Sequence, residues 1–388
     1  MSPVKSLRFA AAIASSAVSF ACAAVLDLPI IIYNGYDMVE LDVGTPAHTY
    51  RFMFDTGSAS TWIVDKECAE SCPNISGFDR SPGYDVTSSS SGNLTDQDAS
   101  IDYLGGRVAG VTAIDTFRFG TLSWSQPFIA ANESNWAAQP NHGFMGLAFG
   151  SIAVGGATPV FERLMASGKL DRPRFGLYYD QDKSDSPEGG HSKGRLTLGG
   201  SREEEYVEGE MATIQLTQRS GDYDVWRSVL HSVSGSFTTE NGTKAEAQTD
   251  LFAASVVFDT GASHISLPPD SIEAVYASIG MNWTALIGGE HIPLCTEFND
   301  TWSISFEVGF YGATKTITLT GDQLALPGFA NREDACWPPF DNQGSAGFAL
   351  IGKRLLRRFY TIWDHGAFPV PGQYTEPTLS FGKLKSQK

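Results

Sequence analysis

The chain has 388 residues, 42% hydrophobic and 18% charged, enough for two domains or one large two-lobed unit with a sizeable core. Its 27 basic and 44 acidic side chains leave a net charge of −17, which repels phosphate backbones and anionic lipid and argues against nucleic acid as a partner. Forty glycines, recurring short runs of Val, Ile, Thr, Ser and Phe, and few long amphipathic patterns predict a mostly β protein rich in turns.

In chain order, residues 1–23 read as a signal peptide. Lys5 and Arg8 precede an Ala-rich apolar run, and Ala21-Cys22-Ala23 offers a small-x-small cleavage site. The run is short and Ser-rich for a retained membrane anchor, and no later segment reads as a span, so stable membrane insertion is not expected. The polar end, KLKSQK, lacks the hydrophobic tail that lipid anchoring requires. Export to the extracellular space follows, with a vacuolar or lysosome-like compartment as the other destination.

Next comes FDTGSAS from Phe54, a carboxylate placed directly after an apolar run. Phe144-Met145-Gly146 follows 91 residues after Asp55. Thr158-Pro159 starts a short helix that Gly168 ends, with Pro at the first helical position. The polar stretch 181–194 reads as a linker, so lobes of 24–190 and 191–388 are expected, each with one DTG. Glu203-Glu204-Glu205 reads as a solvated face.

The second half repeats the plan. FDTGAS begins at Phe258, and Leu350-Ile351-Gly352 follows 93 residues after Asp259. Matched spacing of two paired signals is what an internal duplication leaves. Asp270-Ser271-Ile272-Glu273 has the form of a capping box, with Gly280 closing that helix.

Without Cys22, four cysteines remain, an even number that in an exported chain suggests two disulfides with three pairings open. The local pairing Cys68–Cys72 closes a small loop and leaves Cys295–Cys336. No CxxC occurs and the seven His are scattered, so no metal is expected. Asn74, Asn93, Asn132, Asn241, Asn282 and Asn299 each begin a glycosylation sequon, consistent with export.

The repeated tripeptide states its chemistry. Asp supplies an acid or base, Thr a short hydroxyl that can tie its loop to a neighbour, and Gly a sharp turn open to substrate. Two turn or cap aspartates would leave the apolar preludes and matched spacings unexplained. If symmetry brings Asp55 and Asp259 together, they share one proton and titrate as a coupled pair, an acid and a base that hold a water between them. Such a pair suits hydrolysis without a covalent intermediate.

From about residue 35 to its end the chain resembles the pepsin-type aspartic proteases (family A1), of the secreted, fungal-like kind. Besides Asp55-Thr56-Gly57 and Asp259-Thr260-Gly261, the likeness rests on Tyr103 in SIDYLGGRVAG and Trp62 in STWIV. The segments GFMGLAFGSIAVGGATPVF (143–161) and ALIGKRLLRRFYTIWD (349–364) add to it. The resemblance implies a bilobal, pepsin-like double-psi β-barrel fold with a central cleft and a flap hairpin. It implies catalysis by Asp55 and Asp259, support from Ser58 and Ser263, and a flap of Tyr103, Gly105 and Gly106 with Trp62 as hydrogen-bond partner of Tyr103. It further implies an endopeptidase acting on extended polypeptides, a monomer without cofactor, and inhibition by pepstatin-like compounds. The disulfides fall where the family usually has them.

Three departures stand out. Ala262 lacks the hydroxyl that Ser58 keeps three residues after its Asp, which should raise the pair's lower titration step, whereas a cation at Lys353 acts in the opposite sense if close. An optimum less acidic than pepsin's is expected. Leu104 replaces a usual flap glycine. After cleavage near residue 23 only about thirty residues precede Asp55, leaving no room for a basic prosegment. Either there is no zymogen stage or the true N-terminus lies further upstream. Two rival functions are a non-catalytic binding or inhibitor protein on the same fold and a glycosidase, whose carboxylates would stand farther apart.

Overall fold

The computed structural model describes residues 24–181, 194–239, 241–342, 345–370 and 373–386. The predicted signal peptide and all but the ends of the 181–194 linker lie outside the described residues.

The first half is built on an eight-stranded sheet in which His48–Asp55 runs parallel to Gly143–Gly146. The second half is built on a six-stranded sheet in which Lys244–Phe258 runs parallel to Phe348–Ile351. Strands enclosed on both faces read as continuous apolar runs, and this is why each Asp follows one. Asp55 pairs with Gly146, and the Asp259 amide donates to the Ile351 carbonyl at 2.9 Å, so both carboxylates leave the same point of an equivalent motif.

The apolar-apolar-glycine signals now have a reason. A Cβ on Gly146 would lie 2.2 Å from the Ala59 carbonyl carbon, and one on Gly352 would lie 2.4 Å from the Ala262 oxygen. Each glycine lets its strand end abut the loop that carries the Asp.

A third, antiparallel sheet joins the halves. Its six strands are, in order, Leu26–Pro29, Gly194–Leu198, Arg174–Tyr179, Phe359–Asp364, Thr378–Lys383 and Ala212–Gln215. Above it lies a buried aromatic cluster in which Phe175 stacks on Trp363 and Trp226 meets Phe149 at 5.0 Å. Trp226 also donates to the Leu147 carbonyl at 2.9 Å, so the core is continuous between the halves.

Helices are short. Val160–Ala166 begins one residue later than expected, with Pro159 as its cap rather than its first residue, and ends at Gly168 with φ +65°. The capping box at 270–273 does not form. Pro268 and Pro269 set up a 3-10 turn, and Ser271 donates its hydroxyl to the Pro268 carbonyl at 2.7 Å instead of capping Ile272–Ser278. Gly280, φ +77°, follows that helix as expected. Both disulfides, Cys68–Cys72 and Cys295–Cys336, are formed.

Candidate active site

The two loops meet through their threonines. Thr56 Oγ1 donates to the Phe258 carbonyl at 3.1 Å and accepts from the Thr260 amide at 2.9 Å. Thr260 Oγ1 donates to the Phe54 carbonyl at 3.1 Å and accepts from the Thr56 amide at 3.0 Å. The four bonds form a two-fold-symmetric crossing, fully buried, that fixes the loops without any help from the carboxylates. Short hydroxyls at these two positions can both donate and accept, so no backbone group in the crossing is left unpaired.

Asp55 and Asp259 sit on this crossing and face each other. A Cβ on Gly57 would lie 2.5 Å from an Asp259 carboxylate oxygen, and one on Gly261 would lie 2.6 Å from Asp55 Oδ1. Any larger residue would displace the opposing acid. The donors are unequal. Asp55 accepts from the Gly57 amide at 2.8 Å and the Ser58 hydroxyl at 2.5 Å, whereas Asp259 accepts from the Gly261 amide at 2.7 Å. Burial, followed by the Asp55 charge and the hydrogen bond between the two acids, pushes the Asp259 carboxyl well above the usual range. The two acids thus stand in unequal surroundings, with the richer donor set on Asp55, and burial together with the neighbouring charge opposes ionisation of Asp259.

The carboxylates floor a cleft of about 660 Å³ walled by both halves, including Tyr36, Ile152, His264 and Leu350. Strands Asn93–Asp102 and Arg107–Phe119 form the hairpin over it, and its turn closes through the Tyr103 amide on the Gly106 carbonyl at 2.7 Å. Trp62 Nε1 donates to the Tyr103 hydroxyl at 2.9 Å, so the two aromatics are joined by a polar contact, not by packing alone. Burial and the nearby Asp55 charge keep that phenol protonated. Leu104 projects into solvent at the tip, 95% exposed. Ser263 lies exposed on the cleft wall.

Trp136 escaped the sequence reading because no local motif marks it. Its ring stands 5.7 Å from Tyr103, and a Cβ on Gly105 would approach it to 2.7 Å. Buried Arg80 holds its backbone by donating to the Trp136 carbonyl at 2.5 Å. The adjacent glycines of the flap are the trace this contact leaves in the sequence. Of the sequons, Asn74, Asn93, Asn132, Asn241 and Asn282 are exposed, and Asn299 is half-buried.

A family model for eukaryotic aspartyl proteases matches residues 36–370. Renin-2 of Mus musculus is 30% identical over 340 residues, covering 84% of this chain and 76% of the relative. Pepsin A of Rhinolophus ferrumequinum is 26% identical, with 84% and 78% covered, and the probable vacuolar protease A of Trichophyton verrucosum is 26% identical, with 86% and 77% covered. Together with the duplicated loops and the flap over their shared cleft, these matches show that the chain belongs to the eukaryotic aspartyl proteases and is an aspartic endopeptidase of the pepsin family.

Proposed function

We propose that Asp55 and Asp259 are the catalytic dyad and that the protein cleaves extended polypeptides laid across the cleft beneath the Tyr103 flap. The observation that carries this reading is the reciprocal crossing of Thr56 and Thr260, which brings two buried carboxylates to one point, where burial and the Asp55 charge hold Asp259 towards its protonated form. Asp55, ionised, takes a proton from a water as its oxygen attacks the scissile carbonyl carbon, while Asp259 gives its proton to the carbonyl oxygen. Asp55 then passes its proton to the leaving nitrogen as the carbon–nitrogen bond breaks, and Asp259 recovers one from the diol. Gly57, Ser58 and Gly261 hold the carboxylates, and the Trp62–Tyr103 bond seats the flap.

The protein acts as a monomer after removal of residues 1–23, in the extracellular space or a vacuole-like compartment, with lobes of 24–190 and 191–388. Among the described residues no helix is long and apolar enough to cross a membrane. The exposed sequons are its glycosylation sites, with Asn299 the least accessible of the six.

Hydrolysis of denatured casein between about pH 3 and 7, where a coupled carboxylate pair titrates, tests the assignment. Asp259→Asn should lower kcat by at least ~10³-fold, in line with losses on removing one member of a catalytic unit, and pepstatin should abolish the wild-type rate. Undiminished cleavage by Asp259→Asn would remove the dyad from the mechanism. A folded wild type without activity would favour a peptide-binding protein on the same scaffold.

A further inference from the structure

Lys353 opens the four-residue helix Lys353–Leu356, one residue after the glycine that abuts the second catalytic loop, and is 3% exposed. A buried ammonium is costly unless something answers its charge. Its amide donates to the Ala262 carbonyl at 2.9 Å, tying it to the loop that carries Asp259. Its Nζ crosses to the other half, donating to the Gly35 carbonyl at 2.9 Å and lying 5.6 Å from the centre of the Tyr36 ring. Tyr36 lines the cleft beside both aspartates.

The surrounding charges can be followed element by element. On the strand Tyr36–Val43, the fully buried Asp37 is held by Arg357, through Nε at 3.3 Å and a shorter contact from Nη2. Arg357 also donates to the Gly35 carbonyl and overlies the Tyr179 ring. Arg354 turns away, to the carbonyls of Leu324, Trp337 and Pro338. His264, beyond the catalytic loop on the cleft wall, has its imidazole lowered from the ordinary value by partial desolvation, which Asp341 opposes and Arg354 and Lys353 reinforce. Asp37, though held by Arg357, is the acid that acts most strongly on Lys353, followed by Asp259 and Asp55, and Asp341 places a further acid on the cleft wall.

We propose that Lys353 is a positioning residue for the dyad: a buried cation anchored to both halves that favours the ionised state of the carboxylate pair and so offsets the hydroxyl missing at Ala262. The proposal rests on the dyad reading above. Burial, and after it the Arg357 cation, lower the ammonium from its ordinary value, while Asp37 and then Asp259 and Asp55 act to keep it charged.

The test is the pH profile of kcat/KM for Lys353→Met, Lys353→Gln and Lys353→Arg, with pepstatin affinity against pH as a readout that does not depend on turnover. Both neutral variants should move the acid limb upward by about one pH unit, the low end of what a nearby opposite charge produces, losing about tenfold in kcat/KM on that limb. The plateau rate should persist, thermal stability should hold or rise, and the pepstatin midpoint should move with the limb. Lys353→Arg should keep the wild-type limb. Should Lys353→Met not fold, Lys353→Gln carries the same test while retaining a donor to Gly35. A folded neutral variant with unshifted limb and pepstatin midpoint would reduce Lys353 to a packing role. The Asp259→Asn control separates the two readings, since activity surviving that change defeats the dyad whatever Lys353 does.

Discussion

His365 is fully buried, ringed by Phe149, Phe161 and Trp226 at 4.9–5.0 Å, and neither ring nitrogen has a partner among the described residues. Burial holds its pKa at about 3, against 6.5 for a free imidazole. Above pH 6.5 neither folded nor unfolded chain binds the proton, and as the pH falls below 6.5 only the unfolded chain does, so stability is lost until the folded pKa is reached. At pH 4.5 the difference of about two units costs about 2.7 kcal/mol, at 1.36 kcal/mol per unit. His365→Phe keeps an aromatic ring and removes the titration. Urea unfolding at pH 7 and pH 4.5 should therefore show the variant gaining about 2.7 kcal/mol on wild type between the two, whatever its offset at pH 7. The comparison cancels Asp259 and Glu162, whose raised carboxyls favour the folded state in acid and are common to both proteins. An equal difference at both pH values would show that the native ring is already protonated or hydrated, and the reasoning would fail. His142, lowered by burial to about 4, adds a cost of similar size. An enzyme with two such rings should unfold at acidities where carboxylate chemistry alone would still run.

Two further outcomes are expected. Ala262→Thr restores a hydroxyl facing Asp259, in the manner of the Ser58–Asp55 bond of 2.5 Å, and should move the acid limb of kcat/KM downward by about one unit; an unmoved limb would show that this loop position does not control the pair. Gly106→Ala would press a methyl to 2.7 Å from Asn135 Oδ1 and 2.8 Å from the Trp136 ring, displacing the flap and lowering kcat/KM by about ten- to a hundredfold. Adding Trp136→Ala should recover part of that loss, and strictly additive defects would argue against direct contact.

The site was legible where its requirements are local. An Asp after an apolar strand, a Thr that crosses to its twin and a glycine beneath the opposing acid all lie within four residues, and each occurs twice. The matched glycines at 146 and 352 were legible as a repeat, but their cause, contact with Ala59 and Ala262, was not. Trp136 and the Lys353–Gly35 bridge depend on residues far apart in the chain, and no local periodicity encodes such contacts. The capping box failed because Asp270, its capping residue, falls inside the 3-10 turn Pro269–Ser271 set up by the prolines, and the helix begins only at Ile272. The joining sheet was invisible for a related reason. Gly194–Leu198 lies beyond the linker in sequence yet pairs with both Leu26–Pro29 and Arg174–Tyr179.

That sheet also governs how the chain can be made. Arg174–Tyr179 cannot find its neighbour Phe359–Asp364 until about 185 more residues have left the ribosome, roughly 10 to 40 s at ordinary elongation rates. Through that interval the strand's open edge, with Phe175, Leu177 and Tyr179 buried in the finished protein, needs cover by a chaperone or by passage through the export channel. The same ordering delays the chemistry. Asp55 emerges 204 residues before Asp259, so a nascent chain carries no assembled dyad with which to cut itself or its neighbours.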